Sequence, residues 1–129
     1  MIAVDTNIIV RLLTQDDEAQ FQKSVQIFKL EEFFIPDTVI LETEWVLRFA
    51  YKFQPFEICK ALRNLFGLPN VHLANIGLTA QVLVWHESGL DFADAFHLAY
   101  SQHCYAMYTF DNKFVKRAED ITKCEVKGP

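Results

Sequence analysis

The fold is decided by the opening stretch Ile2-Ala3-Val4-Asp5-Thr6-Asn7-Ile8-Ile9-Val10. Its first three apolar residues predict a short buried strand, which stops at the polar turn Asp5-Thr6-Asn7. The apolar residues after the turn predict a helix. A strand that passes directly into a helix predicts a mixed α/β fold, provided that the same alternation continues along the chain.

The alternation does continue. Further strands are expected at Phe33–Ile35, Val71–Leu73, Ala106–Phe110 and near Cys124–Val126. Helices are expected from about Asp17, over Val39–Lys52, from Pro55 to near Gly67, over Thr79–Ser88, from Phe92 to about His103 and over Lys113–Glu119. Short apolar strands between helices predict a parallel sheet covered on both faces. With 129 residues and neither a repeat nor a linker, the chain is expected to form one domain over residues 1–129.

Composition and charge narrow the class of protein. The formal charge of -5 argues against a broad basic surface, so any contact with nucleic acid must be local or bridged by metal. Three cysteines without close pairing favour a reducing compartment over a disulfide framework. The chain shows no leader pattern and no apolar run near the roughly 20 residues that span a bilayer. We therefore expect a cytoplasmic protein without membrane contact.

Four acids stand where a parallel sheet places its ligand site. Asp5 and Asp111 each follow a predicted strand, while Glu42 and Asp94 lie in the first turns of predicted helices. Strand ends and the helix starts that follow them share one rim of such a sheet. Two carboxylates about 4 Å apart repel by roughly 4 kcal/mol at an effective dielectric near 20, so converging acids need a cation. Mg²⁺ or Mn²⁺ would meet that need, and the chemistry that follows is hydrolysis of a phosphodiester.

Each acid also has a purely structural interpretation. Asp5 has the residue type of a helix N-cap, Asp94 complements a helix dipole, and Asp111 suits a turn. Glu42 is preferred over Glu44 because it shares a helix face with Val39, Trp45, Val46 and Phe49, an apolar set expected to face inward. Glu44 is instead expected to pair with Arg48 on the surface at the i,i+4 spacing.

Several neighbours have expected supporting roles. Asp91 is expected to be the N-cap of the helix that contains Asp94, with support of the metal site as the alternative. Asn7 and Thr109 could hydrogen-bond the ligands. RNA phosphates could bind a few basic residues, for which a solvated surface is the alternative: Arg11, Lys113, Lys116 and Arg117. His97 is more consistent with helix packing than with the site.

Together these residues carry a resemblance to a known family. The matching pieces are Ile2-Ala3-Val4-Asp5-Thr6-Asn7, Val39-Ile40-Leu41-Glu42-Thr43-Glu44-Trp45-Val46-Leu47, Asp91-Phe92-Ala93-Asp94-Ala95-Phe96-His97 and Thr109-Phe110-Asp111-Asn112-Lys113-Phe114. In this order the chain resembles the PIN-domain ribonucleases, and more narrowly the VapC-type toxins of toxin–antitoxin systems.

The resemblance implies a three-layer α/β/α domain with a four- or five-stranded parallel sheet. It also implies an Mg²⁺- or Mn²⁺-dependent endoribonuclease, usually a homodimer held inactive by a cognate antitoxin. The family's acidic positions correspond to Asp5, Glu42, Asp94 and, with more variation, Asp111. The alternative is a catalytically silent PIN-like protein-binding module that uses exposed aromatic residues. The aromatic residues considered for this interface are Phe49, Tyr51, Phe53 and Phe56.

Overall fold

Seven helices and five short strands alternate along the chain in the computed structural model, which describes all of residues 1–129. The mixed α/β class predicted from the sequence is confirmed. By their internal contacts the residues divide into a first unit, Met1–Ile76, and a second unit, Gly77–Pro129. The single domain over residues 1–129 stays a prediction. No helix is both long enough and apolar enough to span a membrane.

The first unit contains a parallel three-stranded sheet. Its strands are β1 (Ile2–Ala3), β2 (Phe33–Ile35) and β3 (Val71–Leu73), in the order β1-β2-β3. Phe33 of the central strand lies opposite Ile2 on one side and Val71 on the other. Phe33 and Ile35 are completely buried, as expected for a strand whose residues are all apolar.

Four helices complete the first unit: α1 (Thr6–Thr14), α2 (Glu18–Leu30), α3 (Asp37–Phe49) and α4 (Pro55–Phe66). Helix α1 packs on α2 and α3, and α4 packs on α3 and β3. Asp5 and Asp17 cap the first two helices by accepting bonds from backbone N–H groups. Buried aliphatic side chains hold the helices together, among them Ile9, Ile40, Leu47, Ile58 and Leu62.

The second unit has three helices and one strand pair. They are α5 (Ile76–Glu87), which begins at the unit boundary, α6 (Phe92–Tyr100), β4 (Met107–Tyr108), α7 (Asn112–Ile121) and β5 (Val126–Lys127). After α5 the chain reverses through Gly89, whose φ of 118° suits glycine and few other residues. The predicted end of this helix at Ser88 is confirmed to within one residue, because α5 ends at Glu87.

The predicted sheet of four or five strands is wrong, because the sheet has three strands. The two late strands form a parallel pair of their own, with Met107 opposite Val126. Of the predicted run Ala106–Phe110, only two residues are strand. The backbone N–H groups of Met107 and Thr109 donate to the backbone carbonyls of Glu125 and Lys127, in and next to β5. Residue composition predicts extended backbone but does not specify its partner.

Candidate active site

Asp5 stands at the junction of β1 and α1. It is the N-cap of α1, with its Oδ1 accepting from the backbone N–H of Ile8 at 3.5 Å. The structural interpretation of Asp5 as a cap is therefore correct. Its Oδ2 makes no hydrogen bond, and the side chain is exposed, so one oxygen stays available to a ligand.

Thr6, the residue after Asp5, connects this junction to α3. Its hydroxyl donates to Oε1 of Glu42, and Thr6 itself is buried. The bond places Glu42 beside the start of α1, so the first unit brings two of the four predicted acids into one neighbourhood. Sequence reasoning gave Thr6 no role. Its only signal was a polar residue inside a turn, which does not reveal a partner 36 residues away.

The predicted orientation of α3 needs correction. Glu42 is exposed, whereas Glu44 is 2% exposed and forms an ion pair with Arg48, Nε to Oε2, at 2.8 Å. The predicted pairing of Glu44 with Arg48 is confirmed. The prediction that Glu44 lies on the surface and Glu42 faces inward is wrong. Trp45 and Phe49 are exposed and contact each other, with ring centroids 5.1 Å apart. As apolar residues at helical spacing, they had suggested that this face of α3 was buried. The buried stripe of α3 is Ile40, Thr43, Glu44 and Leu47.

In the second unit, Asp91 and Asp111 cap the helices α6 and α7. Asp91 accepts from the backbone N–H of Asp94 at 3.2 Å, which confirms its predicted N-cap role. Asp111 accepts from the backbone N–H of Lys113 at 2.9 Å. The hydroxyl of Thr109 in turn accepts from the backbone N–H of Asp111 at 3.0 Å. Thr109 therefore fixes the backbone of a predicted ligand and not its carboxylate.

The surroundings of Asp94 disfavour the ionised form of its carboxylate. Burial raises its pKa first, and the like charges of Asp91 and Asp111 raise it further. His97 and Arg117 act in the opposite direction. The packing role expected for His97 is wrong, because the side chain is exposed. A cation near Asp94 would offset these effects, because an opposite charge stabilises the ionised carboxylate.

The donor set fits a hard divalent cation, although in neither unit do three His, Cys, Asp or Glu side chains stand close enough together to hold one. Charges influence each other over longer distances than the roughly 2–2.5 Å of a metal–oxygen bond, which is why Asp91, Asp94 and Asp111 interact without forming a ligand cluster. Each of the four predicted ligands retains at least one carboxylate oxygen without a hydrogen bond, and carboxylate oxygen is the preferred ligand of Mg²⁺ and Mn²⁺.

The basic residues predicted to contact RNA differ in their surroundings. Lys113, Lys116 and Arg117 are exposed on α7. Arg11 lies in a hydrogen-bond network that the sequence did not reveal: its Nε donates to Gln20 at 2.6 Å, and its Nη1 donates to Asp16 and to the hydroxyl of Tyr51, both at 3.1 Å.

A cavity of about 300 Å³ opens next to this network. Both Asp5 and Asn7 line it, so Asn7 contributes to the wall beside a predicted ligand. The full lining consists of Asp5, Asn7, Ile8, Arg11, Gln20, Lys23 and Ser24, and we call it the Arg11 cavity.

A comparison with protein families finds that residues 2–120 match the PIN domain family. The match covers most of the chain and runs from β1 into α7. PIN domains are generally nucleases and usually use divalent metal ions. A comparison with curated proteins finds no match.

Proposed function

The chain belongs to the PIN domain family, and we propose that it is a metal-dependent endoribonuclease that hydrolyses RNA phosphodiester bonds as the toxin of a toxin–antitoxin pair. The observation that carries the proposal is the state of Asp94. Its carboxylate is partly buried, makes no hydrogen bond and lies in the field of Asp91 and Asp111. Such a group is costly as a structural element but well suited to hold a cation.

We assign the holding of that cation to Asp5, Glu42, Asp94 and Asp111. When bound, Mg²⁺ or Mn²⁺ would supply activation of water and stabilisation of the leaving oxygen. The chain's own residues keep these acids in place. Thr6 orients Glu42 through its hydroxyl, and the capping bonds of Asp5 and Asp111 hold one oxygen of each toward a helix start. Asp91 supports the site by fixing the first turn of α6.

The toxin role, the antitoxin partner, the homodimer and the cytoplasmic location are proposed from the resemblance of the sequence to VapC-type toxins. The exposed cations of α7 support RNA as the substrate, because Lys and Arg contacts position a phosphate backbone. These cations provide a local positive charge on a chain whose formal net charge is -5.

A specific observation favours a second candidate, the catalytically silent protein-binding module. Trp45 and Phe49 are 55% and 47% exposed, and Phe56 is 67% exposed. Large aromatic side chains in solvent are typical of interfaces between proteins. This surface is compatible with either function, since a toxin also binds a protein partner.

Cleavage of labelled single-stranded RNA by the full chain, purified free of any partner, separates the two candidates. We expect cleavage with Mg²⁺ or Mn²⁺ and none with EDTA. Asp94→Asn and Glu42→Gln should each lower the rate at least about 100-fold, in line with the loss of a metal ligand. Asp120→Asn, an exposed acid at the far end of α7, is the matched control and should cleave normally.

Wild-type protein that cleaves no RNA at any metal concentration would contradict the enzyme and leave the binding module. Cleavage that persists in Asp94→Asn would contradict the assignment of the site.

A further inference from the structure

We propose that the Arg11 cavity binds a phosphate group of a single RNA strand, next to the bond whose hydrolysis we assign to the carboxylate-held metal. The proposal rests on the proposed function for the identity of the ligand, but its geometry lies wholly within the first unit. The cavity is formed by α1 and α2 and has Asp5 in its wall. At about 30 Å³ for each displaced water, its volume is ample for a phosphate and part of its sugar.

Arg11 is fixed in a way that leaves part of its guanidinium available. A guanidinium has five N–H donors in a rigid plane. Three of them are used, by Gln20, Asp16 and Tyr51, while neither N–H of Nη2 has a partner in the protein. These two N–H groups lie in the guanidinium plane and point about 120° apart, so one of them can donate a charge-assisted hydrogen bond to a phosphate oxygen. A side chain that is already ordered loses little entropy on binding.

Asp16 is the anchor of this arrangement. It accepts from the hydroxyls of Tyr51 and Thr14, and these two bonds hold the pKa of its carboxyl below the ordinary value. Asp16 therefore stays ionised and keeps Arg11 in position at neutral pH. The same carboxylate offsets part of the charge of Arg11, so a second cation is needed to attract an anion.

Lys23 supplies that second cation. It lines the cavity from α2, is exposed and forms no ion pair. The lining thus carries Lys23 and the partly offset charge of Arg11 against the single carboxylate of Asp5, in a chain whose formal charge is -5. The amide side chains of Asn7 and Gln20 add neutral polar groups to the wall. This combination fits a backbone phosphate, because its contacts are cationic and polar and no aromatic ring is present for a base to stack on.

The test is binding of a fluorescent single-stranded RNA to the full chain in EDTA, where binding is measured without cleavage. Lys23→Gln should weaken binding about 5-fold and reduce the slope of log affinity against log salt by roughly 0.7, the value for one lost phosphate contact on a single strand. Lys29→Gln is the matched control, because Lys29 is exposed on the same helix but lies outside the cavity.

Tyr51→Phe tests the positioning of Arg11 without removing a charge. It deletes one bond to Arg11 and one to Asp16, so affinity should fall while the salt slope stays unchanged. Arg11→Gln should lower both. The thermal midpoint of each variant is measured beside its affinity, and only variants within about 4 °C of wild type are compared, which corresponds to roughly 1 kcal/mol at this length.

Equal effects of Lys23→Gln and Lys29→Gln, or wild-type protein that does not bind RNA in EDTA, would overturn the phosphate site. So would a Lys23→Gln variant that loses affinity for an acidic peptide but keeps its affinity for RNA. These outcomes are distinct from failure of the proposed function. RNA binding that depends on Lys23 in a protein without cleavage would retain the phosphate site and reject the enzyme. RNA cleavage in a protein whose RNA binding does not depend on Lys23 would retain the enzyme and reject the phosphate site.

Discussion

Replacing Arg48 with alanine should destabilise the protein strongly, because it removes two hydrogen bonds and an opposite charge from the buried carboxylate of Glu44. Arg48 donates to Glu44 through two bonds of 2.8 and 3.2 Å. Removing one partner of a fully buried pair costs about 3–5 kcal/mol, whereas an exposed pair contributes less than about 1 kcal/mol. Glu44 is 2% exposed and Arg48 is 34% exposed, so we expect a cost of about 2–3 kcal/mol.

Urea unfolding at pH 7, followed by circular dichroism, measures this cost. A loss of about 2–3 kcal/mol corresponds to a fall in Tm of roughly 8–10 °C for a chain of this length. Glu42→Gln on the same helix is the matched control. Its amide oxygen still accepts from Thr6, so its free energy of unfolding should stay within about 1 kcal/mol of wild type.

The double variant Glu44→Leu with Arg48→Met separates the cost of burying the Glu44 charge without Arg48 from the loss of packing. Replacing both members of a buried pair with apolar side chains is often nearly neutral, so the double variant should be more stable than Arg48→Ala. The reasoning is refuted if Arg48→Ala unfolds within about 0.5 kcal/mol of wild type, as an ordinary surface pair would.

Three further predictions concern the acids, the core and a helix end. Asp111→Asn should lower the pKa of Asp94, since it removes one of the charges that raise it, and NMR titration of the Asp94 carboxyl carbon checks the direction; an unchanged or higher pKa would contradict the electrostatic contact. Phe33→Ala should cost about 3–5 kcal/mol in chemical unfolding, because the ring is completely buried in the central strand, and a cost below about 1 kcal/mol would show that Phe33 is not core. Gln15→Gly should raise the free energy of unfolding by about 0.5–1 kcal/mol, because Gln15 ends α1 with a φ of 56°. Gln22→Gly inside α2 should lower it by a similar amount. Thermal unfolding that ranks the two variants in the opposite order would refute the left-handed conformation of Gln15.

The elements that the sequence predicted well are those with local signals at their ends. Pro55 begins α4 and Gly89 follows the end of α5, and both act through their own backbone preferences. Asp17 and Asp111 each accept backbone bonds at the start of a helix. Such signals need no knowledge of the rest of the chain, so residue order alone was sufficient.

Tertiary choices were not accessible in this way. The face that α3 buries depends on what packs against it, and two aromatic residues on its exposed side suggested the wrong one. The partner of β4 depends on where β5 lies, which is likewise outside local sequence.

The candidate site shows the same division. Strand ends and helix starts predicted where Asp5 and Asp111 lie, and their caps are now visible. The bond from Thr6 to Glu42 and the network of Arg11 with Tyr51 span 36 and 40 residues. Contacts of that range follow from the packing of helices and not from spacing.

The helix caps have a consequence for interpreting related sequences. Asp5, Asp91 and Asp111 each support a helix start, so a relative that had lost catalysis would still gain stability by keeping them. Asp94 accepts no hydrogen bond, and burial and the charges of Asp91 and Asp111 disfavour its ionised form, so the fold would retain it less strongly than the three caps once catalysis was lost. Position 94 is therefore the more informative marker for separating active from inactive members, and aspartate at the three cap positions alone should not be taken as a sign of enzymatic activity.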